Sequence, residues 1–371
     1  MIDLRKLGWK CGKYKSGKDN AITDVPGVSV GHSTIITGEG ELIPGKGPVR
    51  TGVTVIFPHD KNCFMEKTSA GVFVANGFGK ATGIPQILET GVIETPIAIT
   101  NTLNVGLVFD ALVNHAISEN PEIGIKTGSV SPIVTECFDG YLNDIQGRHV
   151  KEFHVLNAIK EAKKGISFGQ GNIGAGTGMQ VFKLKSGVGM ASRQVPKVKK
   201  DSEKTYHVGA LVVPNFGQFN DFLFYGMEMS SILDEKKYLP KHQDRTEVKL
   251  EGGSIIVVLA TDLPLSSRQL NRISHRGALG ITHTGSTLNH GSGDFIITFS
   301  SQNKVSHKNK NSFLEKTILN DNSPVMTDVF KIAVEVVQEA IYNAILSAET
   351  MVGRDNNVRI ALDHSDLPEP P

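Results

Sequence analysis

With 371 residues and a formal net charge of +1, the chain is long enough for one large core or two modest ones, and its scattered Lys and Arg lack the concentrated basic face of a nucleic-acid binder. An apolar share of 39% and a charged share of 21% exclude a disordered or fibrous chain, while 39 glycines clustered toward mid-chain favour tight turns and close backbone approaches. The odd, widely spaced Cys11, Cys63 and Cys137, the lack of an apolar run near the ~18 residues of a membrane span, and an N-terminus with no apolar stretch behind its charges lead us to expect a soluble, cytoplasmic protein without disulfide framework, zinc knuckle or membrane contact.

In chain order, short β-type runs bounded by Gly, Pro and Asp are expected at 28–30, 52–57, 71–76 and 93–100. A helix follows over 103–118, where Val105, Val108, Phe109, Leu112, Val113 and Ala116 form an apolar stripe at roughly 3.6-residue spacing. A strand at 131–136 and a shorter helix at 155–164 come next, then two strands at 179–183 and 187–191 joined by a turn. Residues 196–204 read as a loop, 208–214 as a strand, and 233–253 as a long charged loop ending in Gly252-Gly253. That loop feeds directly into Ser254-Ile-Ile-Val-Val-Leu-Ala260, a run without polar alternation that suits a strand buried on both faces. A helix at 265–279, a strand at 294–300, a loop at 303–311 and the longest helix at 327–351 complete the chain. Strands outnumber helices and several are a turn apart, which favours a mixed or antiparallel sheet core with helices packed outside, within a single domain.

Three motifs fail their context. Gly165-Ile-Ser-Phe-Gly169 matches a nucleophile elbow, but it follows a helix where an elbow must follow a strand. Gly169, Gly171 and Gly174 match a dinucleotide fingerprint with the same fault, and read instead as a Gly-rich turn system passing close to another element. His275, His283, His290 and Asp294 lack any ordered metal-ligand spacing, so no metal and no cofactor is expected.

One arrangement carries chemistry. Serine is a weak nucleophile that needs a base, and a serine placed first in its chain has one attached: a free α-amine whose unperturbed pKa is about 7.7–8.0. Such a residue must be made by cutting a precursor, so the sequence should show a flexible loop, a small residue, then Ser or Thr opening a rigid strand. The stretch 233–253 followed by Ser254 has this form, with the cut at Gly253-Ser254. It would divide the chain into 1–253 and 254–371.

Residues 252–265, Gly-Gly-Ser-Ile-Ile-Val-Val-Leu-Ala-Thr-Asp-Leu-Pro-Leu, resemble the processing site of the L-aminopeptidase/D-esterase-amidase family, which includes the β-peptidyl aminopeptidases. Further matches, in the family's order, are Asn20-Ala-Ile-Thr-Asp-Val-Pro-Gly-Val, Glu136-Cys-Phe-Asp-Gly-Tyr-Leu-Asn-Asp144, Gly174-Ala-Gly-Thr-Gly-Met179 and Gly291-Ser-Gly-Asp294. The resemblance implies an αββα sandwich of the N-terminal-nucleophile type. It also implies homo-oligomers of processed protomers acting on small peptides, amides or esters with a free amine.

By motif match, Ser254 would be the nucleophile, with Ser292 and Asp294 orienting and tuning its amine; some members have Glu where this chain has Asp294. Asn215 would stabilise the oxyanion and Glu136 would receive the substrate's α-ammonium. Each has a plain alternative: Ser292 and Asp294 capping a Gly-rich turn, Asn215 in an Asx-turn, Glu136 a solvated strand end. Where some members place a tyrosine shortly after the carboxylate, this chain has Phe138 and then Tyr141, so no role for a phenol is assigned. The alternatives to a self-processing aminopeptidase are an acyltransferase resembling ornithine acetyltransferase, whose nucleophile is threonine, and a non-catalytic binding protein of the same fold.

Overall fold

The computed structural model describes residues 3–165, 169–196, 204–239, 253–309 and 311–370. In chain order its first elements are strands β1 (Ser29–Thr37), β2 (Val49–Phe57) and β3 (Glu66–Gly77), then helix α1 (Ile84–Thr90), β4 (Val92–Ile93) and β5 (Ile97–Asn101). Next come α2 (Val105–Glu119), β6 (Ile133–Cys137), α3 (Glu152–Lys163), and the strands β7 (Gln180–Val181), β8 (Leu184–Lys185), β9 (Gly189–Val195) and β10 (Tyr206–Asn215). A small hairpin, β11 (Leu223–Phe224) and β12 (Met227–Glu228), precedes α4 (Glu235–Tyr238). The remainder is β13 (Ser254–Thr261), α5 (Ser267–Thr282), β14 (Gly293–Ser306), α6 (Pro324–Leu346), β15 (Met351–Val352) and β16 (Val358–Arg359).

Two sheets form the middle layers. One has the order β1-β2-β5-β6 and the other β4-β3-β14-β13-β10-β9. Both are mixed, with β5–β6 and β13–β14 parallel and their other neighbours antiparallel. The period-2 rule explains the layering. Along β13, Ile255, Val257 and Leu259 face the core shared with α5 and α6. Ile256, Val258 and Ala260 face the core between the sheets, opposite Ile97, Ile99 and Ile133. On the outer face of the smaller sheet, Val53, Val55, Ala98 and Val134 pack against α2 and α3. The result is the expected αββα sandwich, and β13 is buried on both faces, as its unbroken apolar run requires.

The expected helices form with modest changes of boundary, and α1 is an addition, opened by Gly83 and closed by Gly91 around only about two turns. The expected strand 93–100 is two strands in different sheets, because Pro96 has no N–H for a ladder and the chain crosses between layers there. The run 179–183 is not one strand: β7 and β8 pair as a tight hairpin turning at Phe182 and Lys183. The expected loop at 303–311 begins late, since β14 resumes pairing with β3 at Lys304 after a shift of register beyond Ser300. Within the expected loop 233–253, α4 forms, and residues 240–252 lie outside the described residues, as do 197–203 of the loop 196–204 and 166–168 of the elbow-like motif. The Gly-rich stretch is a turn system: Gly174 and Ala175 donate N–H bonds to Thr34 Oγ and Thr54 Oγ at 2.8 and 3.1 Å, tying it to the smaller sheet. No helix among the described residues is long and apolar enough to cross a membrane.

Candidate active site

The first residue of β13 lies between the last residue of β10 and the first of β14. Ser254 pairs with Asn215 on its antiparallel side and with Gly293 on its parallel side. By alternation its side chain shares the inter-sheet face with Ile256, and directly opposed residues put Asn215 on that same face. The peptide joining Gly253 to Ser254 is held too, because Gly293 N–H donates to Gly253 O at 3.1 Å.

Asp294 is one residue further along β14, paired with Ile255 and therefore on the other face. Its Oδ1 accepts from Ser292 Oγ at 2.6 Å and its Oδ2 from Asn76 Nδ2 at 2.8 Å. Asn76 is its register partner on β3, and a bulge follows at once, Ala75 being skipped between Asn76 and Val74. Bulges re-aim side chains beside active sites, and this one fixes the Asn76 amide on the carboxylate. Burial raises the Asp294 pKa, against hydrogen bonds from Ser292, Asn76 and the Ile255 backbone that favour the carboxylate. Ser292 Oγ also lies close to Gly253: a Cβ placed on Gly253 would lie 3.3 Å from it.

Asn215 is not in an Asx-turn. Its Oδ1 accepts from Gln180 N–H, 3.2 Å away and remote in sequence, which leaves the amide nitrogen as the donating end. Nor is Glu136 a solvated strand end: only 3% of it is exposed. Its Oε1 accepts from Lys80 N–H at 3.0 Å and its Oε2 from Thr102 Oγ at 2.5 Å. Two glycines connect it to the serine. A Cβ on Gly293 would lie 3.6 Å from Ser254 Oγ and only 2.5 Å from Gly79 Cα, and a Cβ on Gly79 would lie 3.4 Å from Glu136 Oε1. Side chains at either position would fill the space between Ser254 and Glu136.

Ser254, Asn215, Ser292, Asp294 and Gly253 thus meet at one end of the larger sheet, with Glu136 a glycine-lined step away. Sequence reasoning missed Asn76, Lys80, Thr102 and Gln180, which hold these groups from three separate segments, and no motif or spacing marks them. Tyr141 is engaged elsewhere, under the Arg359 guanidinium at 3.4 Å from its ring centroid. His275 packs on Phe73 from α5, while His283 and His290 are exposed. Cavities of about 510 and 480 Å³ lie away from the site, the first beside Lys67 and Leu265, the second beside His59 and Glu94. The site is marked by its chemistry rather than by either cavity.

The profile of peptidase family S58 matches residues 20–359. The beta-peptidyl aminopeptidase BapA of Sphingosinicella microcystinivorans is 39% identical over 361 residues, covering 95% of this chain and 88% of that protein. Among solved structures, the PH0078 protein of Pyrococcus horikoshii OT3 is 47% identical with a TM-score of 0.90, covering 98% of this chain and 97% of that one. The L-aminopeptidase D-Ala-esterase/amidase of Ochrobactrum anthropi, described as a prototype serine aminopeptidase with a variant Ntn hydrolase fold, is 36% identical with a TM-score of 0.87, covering 99% and 97%.

Proposed function

The chain belongs to peptidase family S58 and is a hydrolase with the N-terminal-nucleophile fold, and from that premise we propose that it cuts itself at Gly253-Ser254 and then works as an aminopeptidase and amidase through Ser254. The observation that carries the reading is the placement of Ser254 between Asn215 and Gly293, with the Gly253 carbonyl already accepting the Gly293 N–H. In self-cleavage Ser254 Oγ attacks the Gly253 carbonyl carbon, the C–N bond breaks and the amine takes the proton. Water hydrolyses the resulting ester, leaving the Gly253 carboxylate on an α chain of residues 1–253 and a free Ser254 amine on a β chain of residues 254–371.

In turnover that amine takes the proton of Ser254 Oγ as the oxygen attacks the substrate carbonyl. Asn215 Nδ2 donates to the oxyanion, an interaction typically worth about 2.7–4 kcal/mol. The proton passes to the leaving amine, and water then deacylates the ester. Ser292 and Asp294 orient the Ser254 amine, and Glu136 binds the substrate's free α-ammonium, which makes the enzyme an exopeptidase. No cofactor takes part in any step. Two of the chain's relatives are named as a beta-peptidyl aminopeptidase and as an L-aminopeptidase and D-Ala-esterase/amidase, which favours hydrolysis over acyl transfer or mere binding. Homo-oligomeric assembly and a cytoplasmic setting belong to the same reading, and native mass spectrometry checks the first.

Denaturing mass spectrometry tests the cut: two fragments are expected, the smaller beginning Ser-Ile-Ile-Val, and Ser254→Ala should remain one inactive chain. Wild type that stays intact yet active would overturn the mechanism. A panel of L-, D- and β-aminoacyl p-nitroanilides would then define the acyl group preferred.

A further inference from the structure

Lys185, at the end of β8, is fully buried, and among the described residues no carboxylate pairs with it. Its ammonium donates instead to three backbone carbonyls: Met179 O at 3.1 Å, Gly176 O at 3.4 Å and Ser186 O. Burial pulls its pKa down to about 7. Three carbonyl acceptors favour the protonated form, which has three N–H groups where the amine has two. An apolar side chain would fill such a place without the cost of desolvating a cation.

The Met179 carbonyl that receives the lysine belongs to the same peptide group as the Gln180 N–H, and that N–H is the donor to Asn215 Oδ1 at 3.2 Å. One planar peptide therefore has a cation on its oxygen and the proposed oxyanion donor on its nitrogen. Charge at the oxygen strengthens the N–H as a donor, by the cooperativity of chained hydrogen bonds. The surrounding hairpin is pinned to both neighbours of Asn215. Ser186 Oγ donates to Pro214 O at 3.2 Å, and Phe182 N–H to Phe216 O at 2.8 Å. The hairpin turns through Phe182 and Lys183 at φ 53° and 65°, left-handed conformations unusual for such side chains. Phe182 is held there by stacking on Phe222 and by an edge contact with Phe216. Backbone strain of this kind persists where surrounding structure over-determines it, and it clusters at functional sites.

We propose that Lys185 is a positioning residue for the oxyanion donor: through the Met179–Gln180 peptide it locks the Asn215 amide with its nitrogen facing the acyl oxygen. The inference rests on Asn215 being that donor. A double-mutant cycle on the full chain separates the two claims. Self-cleavage is followed by denaturing electrophoresis, and kcat and KM are normalised to processed protein for wild type, Lys185→Met, Asn215→Ala and the double variant. Lys185→Met should lower kcat about 10–100-fold with KM nearly unchanged, part of the loss expected on deleting an oxyanion donor. In the Asn215→Ala background the same substitution should change kcat less than about twofold, because the lysine acts through a group already gone.

Equal losses in both backgrounds, or an unchanged kcat in Lys185→Met, overturn the inference. If Asn215→Ala itself leaves kcat intact, the fault lies with the assignment of Asn215 and not with the lysine relay. Should Lys185→Met fail to accumulate as folded protein, hydrogen exchange of wild type decides. The Gln180 amide is expected among the slowest in its hairpin, and exchange as fast as an exposed amide overturns the relay.

Discussion

Buried carboxylates at two places in this molecule are matched in different ways. Glu339 on α6 is wholly buried and meets the guanidinium of Arg193, itself 2% exposed. Asn20 Nδ2 adds a bond to Glu339 at 2.5 Å, and Arg193 reaches Glu335 at 3.3 Å. That cluster is complete within the chain and fastens the N-terminal segment and β9 to the longest helix. Asp294 and Glu136 are as deeply buried, at 1% and 3%, yet among the described residues both receive only neutral donors. Neutral donors satisfy the lone pairs and leave the charge uncompensated, which is costly in a poorly polarisable interior. The first arrangement is architecture. The second suits a cation that forms or arrives in the reaction, and the proposed chemistry supplies two, the Ser254 ammonium and the substrate's.

The comparison can be broken at either place. The largest effect should come from Glu339→Gln, which strands the Arg193 guanidinium and should cost about 3–5 kcal/mol, toward the lower value because Glu335 remains. Urea titration should show the lost stability, and kcat of the folded fraction should not change. A drop in kcat without a drop in stability would erase the distinction. Glu136→Gln keeps the hydrogen-bonding shape but removes the charge, so KM for free-amine substrates should rise about 10–100-fold while self-cleavage continues, in line with a buried charge-assisted contact. Good turnover of N-acetylated peptides by wild type would contradict this role.

The smallest effect is a displacement on the pH axis. A charged Asp294 favours the ammonium form of Ser254 and so raises the amine's pKa. Asp294→Asn removes that attraction, the free amine appears at lower pH, and the acidic limb of kcat/KM should move down. The profile must be corrected for the substrate's own amine, and a limb that then stays in place would detach Asp294 from the base.

The parts legible in sequence were those written locally. Ile255 to Ala260 announce a strand buried on both faces because each successive side chain is apolar. The stripes of α2 and α6 are likewise contained in one stretch. The division of residues 93–100 between two sheets was not legible, since a short apolar run has the same pattern in either layer and only Pro96 hints at the break. Asn76, Lys80, Thr102 and Gln180 were invisible for a deeper reason. Each reaches the site through the pairing or crossing of distant segments, and register between remote strands is fixed by the assembled sheets, not by any local spacing.

The pairing of Ser254 with Asn215 and Gly293 also has a meaning for the life of the newly made chain. These residues come from three strands that span positions 206 to 306, and the Gly253 carbonyl is engaged only when the last of them is in register. Under the proposed self-cleavage, a chain that stalls or misregisters its larger sheet would not place the Gly253-Ser254 bond and would stay in one piece. On that proposal, maturation would be a checkpoint on assembly, yielding an active peptidase only from copies whose central sheet is finished.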